Sequence, residues 1–396
     1  MKLNKIYKTK LVQVNCSKLD LNYLYNCNKL SAKVWNLCLE LNDKHREEND
    51  GNWISRSDLQ KQTKNCVLLH AKGIQHVVHK YIFARDAMLK SKKKGTEGVK
   101  YPYREKNYFV TGWDSQSIKI DYDKNIIYLT RRQLGNKRQK PIKCISKNLP
   151  KNIQEIELVY INKLYLACKY IDKKEYKQIN SSNESSIDLG EIHSITSIDN
   201  NGNAIIVTGR KIRSLKRLRN KHQAKIRNKM SRCTKGSRKY NKYLRALNRL
   251  KVKTDNQVRD CVHKITKLYL GYCLLNNISV VYYGDLDSAV RNTKKNHKGS
   301  KLTRQKLSQW NFGEIIKQLE NKLSRYGIKL IKVKEYYTSQ KCPNCENLNK
   351  PKKRNYVCKN CNYKQHRDIV GSINILNDNS KFHIIKYNNY KYLQIA

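Results

Sequence analysis

The chain is 396 residues long and carries 83 Lys and Arg against 31 Asp and Glu, a formal net charge of +52. That length allows two or three domains with ample core, and the excess of cations goes far beyond what solubility asks for, so a polyanionic partner is expected. No apolar run is long enough to span a bilayer, Met1-Lys2-Leu3-Asn4-Lys5 leads into no signal-peptide core, and thirteen mostly scattered cysteines suit a reducing compartment. A soluble, intracellular protein without a membrane partner is the expectation.

Leu30, Val34, Leu37 and Leu41 recur at helical spacing, and Val67, Ile74, Val77, Val78, Tyr81 and Ile82 make a second stripe, broken by Asn49-Asp50-Gly51-Asn52. Residues 29 to 90 should therefore be helices. From about Tyr108 to Tyr170 the pattern becomes short β-rich runs, at 117–120, 126–129, 156–160 and 165–168, which predict a small antiparallel barrel or sheet. Residues 172 to 186 carry no periodicity and read as a linker.

A new unit opens with Ile187-Asp188-Leu189-Gly190, Ile195 and Ile198, and, across Asn200-Asn201-Gly202, the run Ala204 to Val207, a β-hairpin pattern. Asp188 sits between aliphatic neighbours, where a carboxylate is costly unless something electropositive meets it. It is a metal-ligand candidate, with a hydrogen-bonded structural Asp as the alternative. Asp199 lies beside the turn, where Asp is at home for local reasons, and is the weaker acid.

From Arg210 to Thr254 there is no Asp or Glu, while Arg213, Lys216, Arg217, Lys221, Lys225, Arg227, Arg249 and Lys253 are spread throughout. Leu215, Leu218, Ile226, Leu244, Leu247 and Leu250 supply a thin apolar seam, so two long helices joined near Gly236 are expected. Solvated helical faces normally mix signs; cations gathered without counter-charges favour a surface that tracks a nucleic-acid backbone. A third helix through Val262, Ile265, Leu268, Tyr269 and Tyr272 leads to a buried strand, Ile278 to Leu286, and then to an exposed basic loop, Arg291 to Lys306. An amphipathic helix with Phe312, Ile315, Ile316, Leu319 and Leu323 on one face should stop at Gly327, and the next strand runs Ile328 to Tyr337. Alternation along that strand puts Glu335 on a face with Ile331 and Val333, an aliphatic setting that again calls for a cation.

Cys342-Pro343-Asn344-Cys345 and Cys358-Lys359-Asn360-Cys361 are two knuckles twelve residues apart, with His366-Arg367-Asp368 close behind. Four thiolates at that spacing can meet one tetrahedral ion, which suits zinc; a disulfide pair or unbridged thiols are the alternatives.

Asp188 in Ile-Asp-Leu-Gly, the strand ending Gly284-Asp285-Leu286, the entry Tyr337-Thr338-Ser339-Gln340 to the knuckles, and His366 to Asn374 together resemble the RuvC-like half of the TnpB transposon-encoded proteins. That family includes the Fanzor proteins and is kin to the type V CRISPR effectors. The resemblance covers roughly residues 185 to 376. It implies an α/β RNase H-like (RuvC) nuclease domain with a zinc-ribbon insertion, preceded by a helical domain and a small β-barrel. In domains, this means 1–28 as the start of a wedge-like barrel, 29–100 as a helical recognition domain, 101–180 as the rest of the barrel, 185–376 as the nuclease with a ribbon at 338–364, and 377–396 as a C-terminal tail.

The resemblance further implies an RNA-guided DNA endonuclease encoded by a transposon-like element, with guide RNA and double-stranded target DNA as partners, and a monomer plus RNA. It would act in a nucleus if eukaryotic or viral, and in cytoplasm or nucleoid if bacterial. Hard cations, Mg²⁺ or Mn²⁺, would sit on the catalytic acids Asp188, Glu335 and Asp368, distinct from structural Zn²⁺ on Cys342, Cys345, Cys358 and Cys361. One departure matters: many members carry Glu where this chain has Gly284. Glu335 on its neighbouring strand, or Asp285 next door, is the substitute. His366 and Arg367 could touch the scissile phosphate or be bystanders. A guide-independent nuclease or resolvase, or a catalytically silent nucleic-acid-binding regulator, are the competing readings.

Overall fold

A computed structural model describes residues 6–133, 137, 139–286, 305–306, 309–351 and 354–395. Apart from Gln305 and Lys306, the expected basic loop lies outside the described residues. Two compact units divide the chain, Met1–Lys174 and Glu175–Ala396. Among the described residues no helix is long and apolar enough to cross a membrane.

The first unit runs β1 (Ile6–Gln13), α1 (Lys18–Glu48), α2 (Arg56–Gln62), α3 (Ala71–Lys93), β2 (Thr111–Asp114), β3 (Ile118–Asp121), β4 (Ile126–Leu129), β5 (Ile142–Ile145), β6 (Ile153–Tyr160) and β7 (Leu164–Asp172). β1, β7, β6 and β2 make one antiparallel sheet, and β3, β4 and β5 a second. Helices and both sheets share one core, in which Trp35, Tyr81, Trp113, Ile127 and Leu158 are buried. α1 starts at Lys18 rather than near residue 29: Ser17 caps it by accepting from the Asp20 amide at 3.1 Å, and Leu24 and Cys27 already face the core. The apolar stripe read from the sequence therefore missed its first three turns.

In the second unit the order is β8 (Asn183–Asp188), β9 (His193–Asp199), β10 (Asn203–Thr208), α4 (Arg210–Ser231), α5 (Arg238–Leu275), β11 (Ile278–Gly284), α6 (Phe312–Leu323), β12 (Lys329–Val333), β13 (Asn355–Val357), β14 (Lys364–His366), α7 (Arg367–Asn377) and β15 (Asn389–Leu393). Six strands lie in the order β12-β11-β8-β9-β10-β15. β9 runs antiparallel to both β8 and β10, while β11 and β12 run parallel to β8 and β15 parallel to β10. Ile187, Ile195, Val207, Val262, Ile265, Val281 and Leu319 close one core; Ile198, Ile206, Ile369 and Ile373 close another.

Four expectations change here. Residues 183–186 are strand, not linker, because they pair with both β9 and β11. The second basic helix and the third helix are one, α5, since nothing between Lys253 and Val262 breaks the ladder and Thr254 and Val258 are already buried. β12 ends at Val333, two residues before Glu335. The expected C-terminal tail contains a strand: Tyr390 to Leu393 pair with Ala204 to Val207 and add β15 to the sheet. Gly327, with φ of 74°, ends the α6 region as expected.

Candidate active site and metal centre

β8 ends at Asp188, and α7, which carries Asp368 in its first turn, packs across β8. The approach is close because residue 371 is Gly; a Cβ there would meet Asp188 Oδ2 at 2.8 Å. Small hydroxyls tie the same contact, Ser186 Oγ donating to Ser372 O at 2.6 Å and Ser372 Oγ to Thr196 O at 3.3 Å. Burial, then the nearby negative charges of Glu335 and Asp368, hold the Asp188 carboxyl well above its ordinary pKa, against the pull of Arg367 and Arg354. Burial also raises Glu335, opposed by the Thr338 hydroxyl and reinforced by Asp285. Asp368 goes the other way. Burial works to raise it, but the His193 hydrogen bond together with the positive charge of Arg354 and the presence of His366 brings it to about 2.

The second acid reaches the cluster by a route the sequence did not show. With β12 finished at Val333 and Ile331 left 38% exposed at the sheet edge, alternation is not what turns Glu335 inward. Instead the chain leaves the strand and places the Glu335 carboxylate against the α-carbon of Gly284, where a Cβ at 284 would collide with Oε2. Asp285 is turned to the surface, its carboxylate paired with Lys332 at 2.8 Å. Asp199 is buried, but its Oδ1 accepts from the amides of Asn201 and Asn203 at 3.0 and 2.9 Å, the structural role expected of a turn acid.

His193 and Arg354 carried no sequence signal. Nδ1 of His193 lies 2.8 Å from Asp368 Oδ2, and Arg354 Nη1 donates to the same oxygen at 2.6 Å. The amide of Asp368 donates to His366 Nδ1 at 3.3 Å, so His366 caps α7. Arg367 Nε stands 3.7 Å from Asp368 Oδ1.

The four knuckle thiols converge, with Sγ to Sγ distances of 3.7 Å for Cys342 and Cys361 and 3.5 Å for Cys345 and Cys358. A tetrahedral zinc with Zn–S of about 2.3 Å sets its sulfurs about 3.8 Å apart, whereas a disulfide needs about 2.05 Å. The donor set therefore fits zinc and not a disulfide. Both knuckles fold alike: the Glu346 amide donates to Cys342 O at 2.9 Å and the Asn362 amide to Cys358 O at 3.1 Å. Each of those residues takes φ of 58°, and the first Cys of each knuckle donates to a carbonyl five residues on, Asn347 O or Tyr363 O. The ribbon is pinned to α7, where Val370 packs with Cys342, Tyr356 and Cys358 and Asn374 Nδ2 donates to Thr338 O and Lys341 O at 2.6 and 2.8 Å.

Along the α4–α5 hairpin, Arg217, Lys221, Lys225, Arg227, Arg249 and Lys253 are exposed and make no ion pair among the described residues. Two of the eight predicted contacts differ. Arg213 pairs with Glu191 at 3.4 Å, and Lys216 is drawn inward onto Gln309 O and Asn311 Oδ1, with burial bringing its pKa down to about 8.

Two family models match the chain: a probable transposase model over residues 168–290, and the Cas12f1-like TNB domain over residues 312–375. The TnpB-like protein MJ0751 of Methanocaldococcus jannaschii is 28% identical over 212 residues, covering 52% of this chain and 71% of the relative. A CRISPR-associated endodeoxyribonuclease Cas12f1 from an uncultured archaeon is 33% identical over 81 residues, 18% of this chain and 15% of that protein. Among solved structures, a Cas12f1–sgRNA–target DNA complex matches with a TM-score of 0.63 at 15% identity, over 91% of this chain and 83% of that one. The mini-RNA-guided endonuclease Cas_phi3 matches with a TM-score of 0.50 at 11% identity, over 94% and 92%. At such identities the structural likeness speaks for the fold alone.

Proposed function

From a chain related to the TnpB-like proteins and the type V effectors, we infer an RNA-guided DNA endonuclease that depends on divalent cations and works through an RNase H-like site. What carries this reading is the gathering of Asp188, Glu335 and Asp368 from three separate elements onto two glycine platforms, with Asp188 destabilised as an anion by burial and then by the other two. Partly buried carboxylates that repel one another are the donor set that hard cations relieve. Asp188, Glu335 and Asp368 would hold them. When bound, such ions would polarise the phosphodiester, lower the pKa of a water and balance the charge of the leaving oxygen.

The chain's own contribution is positioning. β8 and α7 fix Asp188 and Asp368 through the serine contacts, and Glu335 is held by Thr338 Oγ1 at 3.4 Å and by the space above Gly284. His193 and Arg354 keep Asp368 ionised. The ribbon, folded around zinc, supports both the Glu335 loop and α7. The unpaired cations of the α4–α5 hairpin face a phosphate backbone, with guide RNA and double-stranded DNA as the partners and a monomer plus RNA as the working form.

The experiment supplies purified protein with Mg²⁺ and RNA transcribed from the flanks of its gene, and offers DNA matched or mismatched to that RNA. Cleavage confined to the matched DNA is expected. Cutting that ignores the RNA sequence would leave a guide-independent nuclease, and binding without any nick a silent regulator.

A further inference from the structure

Beside Glu335 the chain presents two aromatic rings to solvent. Tyr336 is 73% exposed and Tyr337 64%, the highest values of any tyrosine in the chain, and tyrosine occurs 27 times. A tyrosine-rich composition alone does not account for this, because the others mostly find cover in a core, a ring pair or a sheet face. Exposing two adjacent rings removes nothing apolar from water, and Tyr337 in addition holds φ of 53°, a left-handed conformation that is uncommon for a bulky residue.

The segment is not loose. Its backbone turns at Tyr337, whose carbonyl accepts from the Gln340 and Lys341 amides at 2.8 and 3.0 Å, and Asn374 on α7 holds Thr338 O and Lys341 O. The rings are therefore displayed on the same pinned loop that carries the second acid, braced by the helix that carries the third. Lys332, Lys334 and Lys341 flank them in the chain; Lys332 is paired with Asp285 and Lys341 with Glu346 and Asp378, so the positive charge next to the rings comes from Lys334 and from the chain's large cationic excess. Flat apolar faces among cations match the chemistry of a polynucleotide whose bases are unpaired, since every base offers a π-face and every linkage a phosphate.

We propose that Tyr336 and Tyr337 form a base-stacking pair that positions an unpaired strand across the acidic site. The purpose of that strand rests on the nuclease reading; the stacking does not. A duplex keeps its bases stacked on one another and offers these rings nothing comparable, so the pair discriminates for single-stranded substrate.

The test measures binding in an Asp188→Asn background, so that no cleavage is needed for a result. The probe is a single-stranded oligothymidylate carrying one 2-aminopurine, in salt high enough to screen phosphate contacts. The 2-aminopurine fluorescence should be quenched by the parent and by the Tyr336→Phe/Tyr337→Phe protein. The Tyr336→Ala/Tyr337→Ala protein should lose that quenching and bind on the order of tenfold more weakly, the size of a stacking contact. An abasic site in place of the 2-aminopurine should weaken the parent but not the double-alanine protein. Equal quenching with the double-alanine protein, loss of it with the double-phenylalanine protein, or equal quenching of the same strand in a duplex would each overturn the proposal. If the double-alanine protein fails to fold, Tyr336→Ala alone, whose backbone is not left-handed, decides by the same readings. Failure of the unsubstituted protein, with Asp188 intact, to cut DNA bears on the nuclease reading and leaves this one standing.

Discussion

The carboxylate of Glu335 occupies the space in which a side chain at Gly284 would begin. Gly284 ends β11 opposite Val333, the last residue of its parallel neighbour β12, and Glu335 follows two residues beyond that strand, so an acid from either position can reach the same point beside Asp188. Only one can be there at a time. That exclusion explains a Gly at the end of a buried strand, and it distinguishes Glu335 from Asp285, whose carboxylate pairs with Lys332 at the surface.

If Glu335 holds an ion, replacing its carboxylate should stop the chemistry and spare the fold. Glu335→Gln is expected to lower cleavage by at least about 100-fold, the scale of losing a ligand of a two-ion site, with guide-RNA affinity unchanged. Asp285→Asn should cut normally. The exchange Gly284→Glu with Glu335→Gly should recover part of the lost rate, whereas Gly284→Glu alone should misfold or lose activity. Cleavage assays beside RNA-binding titrations check all four proteins; normal cutting by Glu335→Gln and none by Asp285→Asn would reverse the assignment.

The ribbon should hold one zinc per chain, and losing it should reach the active site. Arg354 lies between the knuckles and contacts Asp368, and Asn374 joins α7 to the knuckle entry. Cys358→Ser is therefore expected to lower zinc content, melting temperature and cleavage together. Elemental analysis and thermal melts measure the first two. Full cleavage by a zinc-free protein would separate the ribbon from the site.

What the sequence made legible followed from local rules. Asp188 stood out as an acid among aliphatic residues, the knuckles by their spacing, and the hairpin cations by the lack of any acid beside them. The rest depends on contacts between residues far apart in the chain. His193 and Arg354 reach Asp368 across 175 and 14 residues and mark themselves by no local pattern. Glu335 was identified for a reason that does not hold, because alternation stops with the strand at Val333. The last strand was missed because Asn-Tyr-Lys-Tyr reads as polar, and only pairing with β10 makes it β. Lys216 looked like its neighbours until tertiary packing turned it inward.

Salt dependence separates Lys216 from the exposed cations. If Arg217, Lys221, Lys225 and Arg227 each meet a phosphate, changing all four to Gln should reduce the slope of log affinity against log salt for RNA by roughly 3, at about 0.7 to 0.9 per contact. Lys216→Gln should leave that slope unchanged and lower the melting temperature, since it removes the donor to Gln309 and Asn311. Filter-binding across a salt series, with a melt of each protein, measures both. An unchanged slope in the fourfold variant would remove the hairpin from the RNA interface.

In the first unit, His76 on α3 lies between two carboxylates of β6, with Nδ1 3.2 Å from Glu155 and Nε2 3.4 Å from Glu157. Burial works to lower its pKa, but the hydrogen bonds and charges of the two glutamates win and raise it above 6.5. Glu155, hydrogen-bonded to His76, falls from 4.5 to about 2. Lys80 and Lys169 complete the balance of charge around the two glutamates. A raised histidine pKa contributes stability that is full below its unfolded value and is lost as pH rises through the folded one. A lowered carboxylate pKa contributes stability that is full above its unfolded value and is lost as pH falls through the folded one. Both contributions are complete between about 4.5 and 6.5, the two unfolded values. Denaturant titrations of the full chain should show the first unit's transition at its firmest in that window and weaker at pH 8. His76→Gln should remove most of the difference between pH 6 and pH 8, because the Gln amide NH2 still donates to a carboxylate and carries no proton to lose. A His76→Gln protein that retains the full pH dependence would place its origin elsewhere in the unit.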